Sequence, residues 1–352
     1  MILQRFMKSK ALSVIKYFIG IDVAKATFNY CVRYGGGHVN NGKVSNNVES
    51  IIDFVNSLNQ IPGFKLRYAV FGMEVTGVYG IVLMKTLIKM KAKVVVEPAL
   101  RIKNSLGTIR GKNDKLDAAR IARYLIKNLQ ELKLWVPRRQ IIEELSSLST
   151  LRERIVKIKT IIITPLEEDD AFIDQSISKA NIDLCQPSID KINDLITKID
   201  DRIKILWKND VHCNKLMQIM LSVMGIGDVT ALQILIHSNE FKSITTARTF
   251  ASYCGVAPFE HKSGTSIIKN SRVSKFANKR IKSLLHNGVR TCIAHDPEIK
   301  AYYKRRVEID KKNKMSTMNA IKFKIICRVF ACVHGDRSYD RNYVPKAPET
   351  IV

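Results

Sequence analysis

The sequence predicts a three-part chain: an α/β N-terminal domain over 15–136, a helical coiled-coil hairpin over 137–212, and a mostly α-helical C-terminal domain over 213–337, with a tail at 338–352. Three observations carry that reading. Strand-like and helix-spaced runs alternate in the first part of the chain. Two long seams of Leu and Ile at steps of three and four fill the middle. Basic charge is gathered at both ends.

In order along the chain, Tyr17 to Val23 (YFIGIDV) is rich in aromatic and β-branched residues and reads as a strand. Thr27 to Val32 is a second, and Gly35-Gly36-Gly37 turns into a third. Val48 to Leu58 has helical spacing. Arg67 to Met73 (RYAVFGM) and Lys93 to Val96 (KVVV) read as buried strands around a helix from about Tyr79 to Met90, a βαβ arrangement that implies a mixed sheet with flanking helices. In the middle, Leu148, Leu151, Ile155, Ile158 and Ile162 form an a/d seam that Pro165 is expected to stop. Ile189, Ile192, Ile196, Ile199, Ile203 and Leu206 form a second seam. The two should pair as an antiparallel hairpin. Narrow seams with strongly charged flanks favour a spacer or dimerisation arm, and with it a homodimer or tetramer, over a subdomain packed on its own neighbours. The tail after Ser338 is polar and proline-containing, and is expected to be unstructured.

The 352 residues carry 58 Lys and Arg against 32 Asp and Glu, a net charge of +26, and 46% of them are apolar, which excludes disorder of the whole chain. Residues 1–127 hold 21 basic and 7 acidic side chains, 128–240 hold 14 and 17, and 241–352 hold 23 and 8. Two basic ends flanking a neutral middle point to two surfaces facing a polyanion, with nucleic acid the expected one. The longest apolar stretch, Met217 to Ile236, contains Asp228 and two glycines, so no membrane span is expected. The first residues lack an apolar h-region with a small-residue cleavage site, and the protein is expected to stay in the cytoplasm. Seven cysteines without a CxxC pair read as reduced thiols. Cys327, Cys332 and His334 match no zinc spacing.

Four carboxylates stand in unusual places. Asp22 interrupts an apolar strand, and Glu74 ends another just before Thr76-Gly77. Asp114 and Asp117 (GKNDKLDAARIARYL) lie three apart at the start of a helix, on one face. Each has an ordinary reading: a turn residue, a strand-end charge, or, for Asp114, an N-cap with Asp117 at N3. An Asp within an apolar strand is costly unless it binds something, so the set reads as one site. Oxygen-only ligands suit the hard cation Mg²⁺ or Mn²⁺, and a two-metal site can stabilise both the attacking and leaving oxygens in phosphoryl transfer.

The C-terminal part adds nucleic-acid signals. MLSVMGIGDVTALQIL (Met220 to Leu235) has the hxGhGxxxA form of a helix-hairpin-helix, in which Gly225 and Gly227 would bring backbone N–H groups against a phosphate. A ligand-free turn between helices is the alternative. Arg272, Lys275, Lys279, Arg280 and Lys282, then YYKRRVEIDKKNK (Tyr302 to Lys314), are candidate phosphate contacts, of which at least half are taken as solvated surface.

The runs GIDVAK (Gly20 to Lys25), MEVTGVYG (Met73 to Gly80) and KNDKLDAARIARYL (Lys112 to Leu125) together resemble the DEDD transposases of the insertion-sequence family IS-one-ten (IS110), relatives of the Piv-type DNA invertases. The resemblance spans about 17–335. It implies a RuvC-like, RNase H-like N-terminal domain whose metal-binding acids map onto Asp22, Glu74, Asp114 and Asp117. It also implies a C-terminal transposase domain with a nucleophilic serine, best matched by Ser263 in HKSGTS, with Ser266 and Ser271 as nearby competitors. No Ser-His-Asp set surrounds Ser263, and His261 reads more simply as a surface residue. The expected activity is therefore metal-dependent DNA strand cleavage and transfer at a composite site, through a 5′-phosphoserine link. The partners implied are the element ends, the target DNA and a noncoding guide RNA. Two other classes remain open from the residues: a RuvC-like endonuclease using the acids and water, and a non-catalytic DNA-binding protein.

Overall fold

A computed structural model describes residues 14–75, 77–107, 113–169, 172–263 and 267–343. The chain forms two compact units, residues 1–137 and 138–352.

The first unit is built on five strands, β1 (Tyr17–Val23), β2 (Thr27–Tyr34), β3 (Gly37–Ser45), β4 (Ala69–Glu74) and β5 (Lys93–Glu97), in the order β3-β2-β1-β4-β5. β1 and β2, and β2 and β3, are antiparallel; β1 and β4, and β4 and β5, are parallel. The sheet is mixed, as the alternation of runs predicts. Helices α1 (Val48–Ser57) and α2 (Gly80–Lys89) pack on one face through Ile51, Phe54, Leu83 and Leu87, which meet Ile19, Ile21, Phe28, Phe71 and Met73. Helices α3 (Ala99–Leu106) and α4 (Asp114–Lys127) cover the other face, where Ile102, Ile121, Tyr124 and Leu125 meet Phe18, Val70 and Val95. Burying both faces explains why β1 and β4 read as nearly continuous apolar runs.

The second unit opens with two long helices, α5 (Gln140–Asp169) and α6 (Gln175–Asn209). Arg152 pairs with Asp200 at 2.5 Å and Arg202 with Glu144 at 3.2 Å, pairings that fix an antiparallel hairpin. The α6 seam is the expected one, with Ile189, Ile199 and Ile203 buried. The α5 seam differs. Leu151 and Ile158 are 42% and 46% exposed, while Arg152, Lys159 and Leu166 join Leu148, Ile155 and Ile162 in the half-buried row. Arg and Lys can lay their aliphatic stems along a seam with the charge outward, and Arg152 has its acid across the hairpin. Pro165 does not stop α5, which runs on to Asp169. A proline removes one hydrogen bond and kinks a helix, and here flanking turns carry it through.

The hairpin's root and the remaining helices share one core. Ile142, Leu145, Ile203 and Trp207 pack with α7 (Val211–Leu221), α8 (Asp228–Ser238), α9 (Ala247–Tyr253), α10 (Lys279–His295), α11 (Pro297–Lys304) and α12 (Lys314–His334). The mostly helical reading has one exception, the hairpin β6 (Pro258–Ser263) and β7 (Ile267–Val273), where β-branched Ile267, Ile268 and Val273 favour a strand. All seven cysteines are free. Among the described residues no helix is long and apolar enough to cross a membrane. Residues 1–13 and 344–352, including most of the tail, lie outside the described residues.

Candidate active site

The site begins with two glycines. Side chains alternate across a sheet, so Phe18, Gly20 and Asp22 of β1 share the α4 face, as do Val70, Gly72 and Glu74 of β4. α4 lies directly on the glycines. A Cβ at Gly20 would stand 2.1 Å from the Ala118 carbonyl oxygen and 2.3 Å from the Ala122 nitrogen, and one at Gly72 would stand 2.7 Å from Leu125 Cδ2. With no side chain in the way, the helix packs against the strands, and the carboxylates two residues further along, Asp22 and Glu74, come to the end where α4 begins.

That start is built by Asn113, whose side chain accepts from the Lys115 N–H at 3.0 Å. Asn113 is thus the N-cap, which replaces the capping reading of Asp114: Asp114 is the first helical residue and is exposed. Asp117, one turn on, is half-buried and pairs with Arg120 at 2.5 Å. Burial pushes the Glu74 carboxyl above the usual carboxylate range, and the Asp117 charge pushes it further.

The structure therefore brings Glu74 and Asp117 into electrostatic contact and puts Asp22 on the neighbouring strand, on the same face. Asp114 is exposed at the first turn of α4. Among the described residues no three His, Cys, Asp or Glu side chains lie close enough to hold a metal. Thr76 and 108–112, which adjoin Glu74 and Asp114, lie outside the described residues. Even so, the donors fit a hard divalent ion. They are all carboxylate oxygens, and two are pressed together at a cost that a cation would relieve.

The Glu74 shift has a checkable consequence. Its carboxyl is harder to ionise in the folded than in the unfolded chain, so its stabilising contribution is complete at low pH and is lost as pH rises through the folded-state pKa. Glu74→Gln should therefore gain stability relative to the unsubstituted protein between pH 4 and pH 7. Urea unfolding at both pH values measures the change, and a difference that stays constant would contradict the coupling.

Sequence reading missed one acid here. Glu97 ends β5 opposite Glu74 in the register, buried and paired with Arg101 at 3.2 Å. The signal was present, since KVVVE repeats the pattern of AVFGME, an acid closing a buried strand. Its charge helps lift the buried Tyr124 hydroxyl to about 12, second to burial itself.

In the second unit, Gly225 and Gly227 occupy the turn between α7 and α8 and have different surroundings. Gly225 has φ +86°, and a Cβ there would meet Cys292 Sγ at 2.6 Å and the Gly288 carbonyl oxygen at 2.7 Å. Its missing side chain lets this turn touch α10. Gly227 has open space beside it and caps α8. Of the predicted basic contacts, Arg272, Lys275 and Lys279 are exposed, whereas Arg280 pairs with Glu153 at 2.5 Å. Ser263 ends β6, its backbone paired with Ile267, and Ser271 lies in β7. Gly264 and Ser266 lie outside the described residues, as do the side chains of 260–271. The base of this strand hairpin is anchored: the Asn278 N–H donates to the Tyr253 carbonyl at 2.9 Å, and the Tyr253 hydroxyl lies 2.8 Å from His237 Nδ1. Burial holds His237 down at about 4, with Arg138 and Arg280 adding to the effect, so the ring is neutral at physiological pH.

The sequence matches known proteins on both units. The profile of the DEDD transposases of IS110 matches residues 19–167, and that of the transposase IS116/IS110/IS902 family matches residues 217–304, together two thirds of the chain. A pilin gene-inverting protein of Moraxella bovis is 28% identical over 334 residues, covering 93% of this chain and 98% of that one. Its counterpart in Moraxella lacunata is similar to the same degree. An IS110 insertion-element protein of Streptomyces coelicolor is 30% identical over 96 residues, 27% of this chain and 24% of that one.

Proposed function

Because the chain belongs to the transposases of the IS116/IS110/IS902 family, a family of DNA recombinases, we propose that it cuts and rejoins DNA strands by metal-dependent phosphoryl transfer. The observation that carries this is the electrostatic contact of Glu74 with Asp117, which belongs to the helix seated on Gly20 and Gly72, with Asp22 on the neighbouring strand and the same face. The strand order β3-β2-β1-β4-β5 supports an RNase H-like reading of the first unit. Asp22, Glu74, Asp114 and Asp117 would hold Mg²⁺ or Mn²⁺. When bound, the metal neutralises charge on the scissile phosphate and on the leaving oxygen.

The chain's own groups do the rest. The Ser263 hydroxyl attacks phosphorus, the bond from phosphorus to the 3′-oxygen breaks, and the hydroxyl proton ends on that oxygen. A 5′-phosphoserine link remains, and a different 3′-hydroxyl attacks its phosphorus. The bond from phosphorus to the Ser263 oxygen breaks, that oxygen takes the proton lost by the attacking hydroxyl, and a phosphodiester is restored without an external energy source. Gly227, Arg272, Lys275 and Lys279 hold the DNA backbone without reading bases. The long hairpin of the second unit serves as the arm of a homodimer or tetramer. Base selection is assigned to a noncoding guide RNA on family resemblance alone. Such a protein acts on DNA in the cytoplasm.

The test is a cleavage assay on DNA carrying the element ends together with the guide RNA, in Mg²⁺ and in excess chelator. Nicking in Mg²⁺ that the chelator stops is the expected result. Cleavage that continues in chelator would overturn the metal reading.

A further inference from the structure

Lys322 lies in the apolar run IKFKIICRVF of α12 and is 2% exposed. Lys rarely occupies such a position without a counter-ion. Its ammonium has three N–H donors, and its hydrogen bond goes to a neutral acceptor, Asn319 Oδ1, at 3.0 Å. α10 packs alongside α12, and the groups facing Lys322 from it are also basic: Lys282 and His286 are both close enough to interact with its charge. Lys279, Lys282, His286 and Arg290 follow at helical steps of three and four along α10. Among the described residues, none of these five has an acidic partner. Elsewhere in this unit buried charge is neutralised, as when Glu240 pairs with Arg139 at 2.5 Å and Asp296 with Arg328 at 2.9 Å.

A buried ammonium that faces like charge is costly to keep. An anion placed over it would turn each repulsion into an attraction and supply the missing acceptors. We propose that Lys322, with Asn319, Lys282 and His286, forms a phosphate-binding seat between α10 and α12 that takes a phosphodiester group of a nucleic-acid backbone. The stripe from Lys279 to Arg290 leads neighbouring phosphates past it. This inference rests on the nucleic-acid reading of the chain and adds a defined seat at the buried Lys322, apart from the glycine turn and continuous with the surface to which Lys279 belongs. Burial, with help from Lys282, lowers the Lys322 pKa to about 8 in the free protein, and a bound phosphate would raise it again. Binding therefore takes up a proton above about pH 8, and affinity should fall as pH rises from 7 to 9.

The test uses the full chain and fluorescent 20-base-pair duplexes of one arbitrary sequence, one of DNA and one of RNA. Lys322→Met keeps the side chain's length and apolar character without the charge. It should weaken binding of at least one duplex by about tenfold or more, as expected for a lost charge-assisted contact. The log–log salt slope should shrink by about 0.9, and the fall between pH 7 and pH 9 should disappear. At pH 7 the free variant should melt no lower than the unsubstituted protein, because it has lost a buried charge. Loss on one duplex alone identifies which backbone is bound. Lys282→Gln, at a partly exposed position, should weaken the same duplex and keeps the test decisive if Lys322→Met does not fold. If the unsubstituted chain binds neither duplex, both this inference and the nucleic-acid reading fail. If it binds and the variants match it in affinity and salt slope, the seat alone fails. A lower melting temperature for Lys322→Met with unchanged binding by Lys282→Gln would make Lys322 a structural residue and overturn the inference.

Discussion

Asp22→Asn should abolish DNA strand cleavage while leaving duplex binding nearly unchanged. The substitution keeps the size of the side chain and its place on β1, but replaces a charged oxygen ligand with a neutral amide. Loss of one electrostatic group aimed at developing charge typically costs a factor of about 10² to 10³, and a metal that no longer binds would cost more. A fall of at least about a hundredfold in the cleavage rate, with the binding isotherm moved less than about threefold, is the expected pair of results. The pairing of the two measurements matters. Asp22 lies in the first unit, away in sequence from the exposed Arg272, Lys275 and Lys279, so it should not serve backbone binding. Cleavage at the unsubstituted rate would remove Asp22 from the site, and a parallel loss of binding would recast it as a structural residue.

Gly20→Val should be among the most damaging single changes to the first unit's stability. A Cβ at this position meets two backbone atoms of α4, at 2.1 Å and 2.3 Å, and backbone cannot swing aside as a side-chain tip can. The helix must lift from the sheet, opening the contacts of Ile121, Tyr124 and Leu125 with Phe18, Val70 and Val95. Overpacking of this kind costs about 1–3 kcal/mol, and with the core opened as well roughly 3 kcal/mol or more is expected in urea unfolding. Asp117 moves with the helix. A variant that still folds in mild conditions should therefore lose the electrostatic influence of Asp117 on Glu74 together with cleavage. A loss below about 1 kcal/mol would mean that α4 is not held against the strands as described.

Much of this was legible in the sequence, for physical reasons that differ by element. β1 and β4 could be placed because both faces of the sheet are covered at them, which makes them continuous apolar runs where a single Asp22 or a terminal Glu74 stands out, whereas the largely exposed β3 was legible from the glycine turn before it. The α6 seam was legible because isoleucine repeats at heptad spacing and little else apolar competes. The α5 seam was misread at Leu151 and Ile158, since Arg152 and Lys159 can fill a seam row with their stems and a hydrophobic pattern does not see that. Pro165 was misread because a proline's local cost can be outweighed by flanking helix.

Other features depend on partners distant along the chain. Gly225 reads as a phosphate-facing hairpin glycine until Gly288 is found against it. Lys322 reads as one more cation in a basic chain until α10 and α12 come together. The Asn113 cap is hidden by its neighbour, because Asn and Asp cap helices about equally well and Asp114 stands next to it in the sequence.

One measurement directly tests the proposal that the acids of the first unit and Ser263 carry out strand transfer through a covalent link. The protein, the proposed guide RNA and DNA ending in the element sequence are mixed in Mg²⁺, quenched in denaturant and digested, and the DNA-bound peptide is identified by mass spectrometry. A peptide joined through Ser263 to a DNA 5′-phosphate, absent from Asp22→Asn and from Ser263→Ala, is the predicted result. Nicked DNA with free 5′-phosphates and no attached peptide, from a Ser263→Ala variant that cuts as fast as the unsubstituted protein, would contradict it and make the chain a nuclease that uses water.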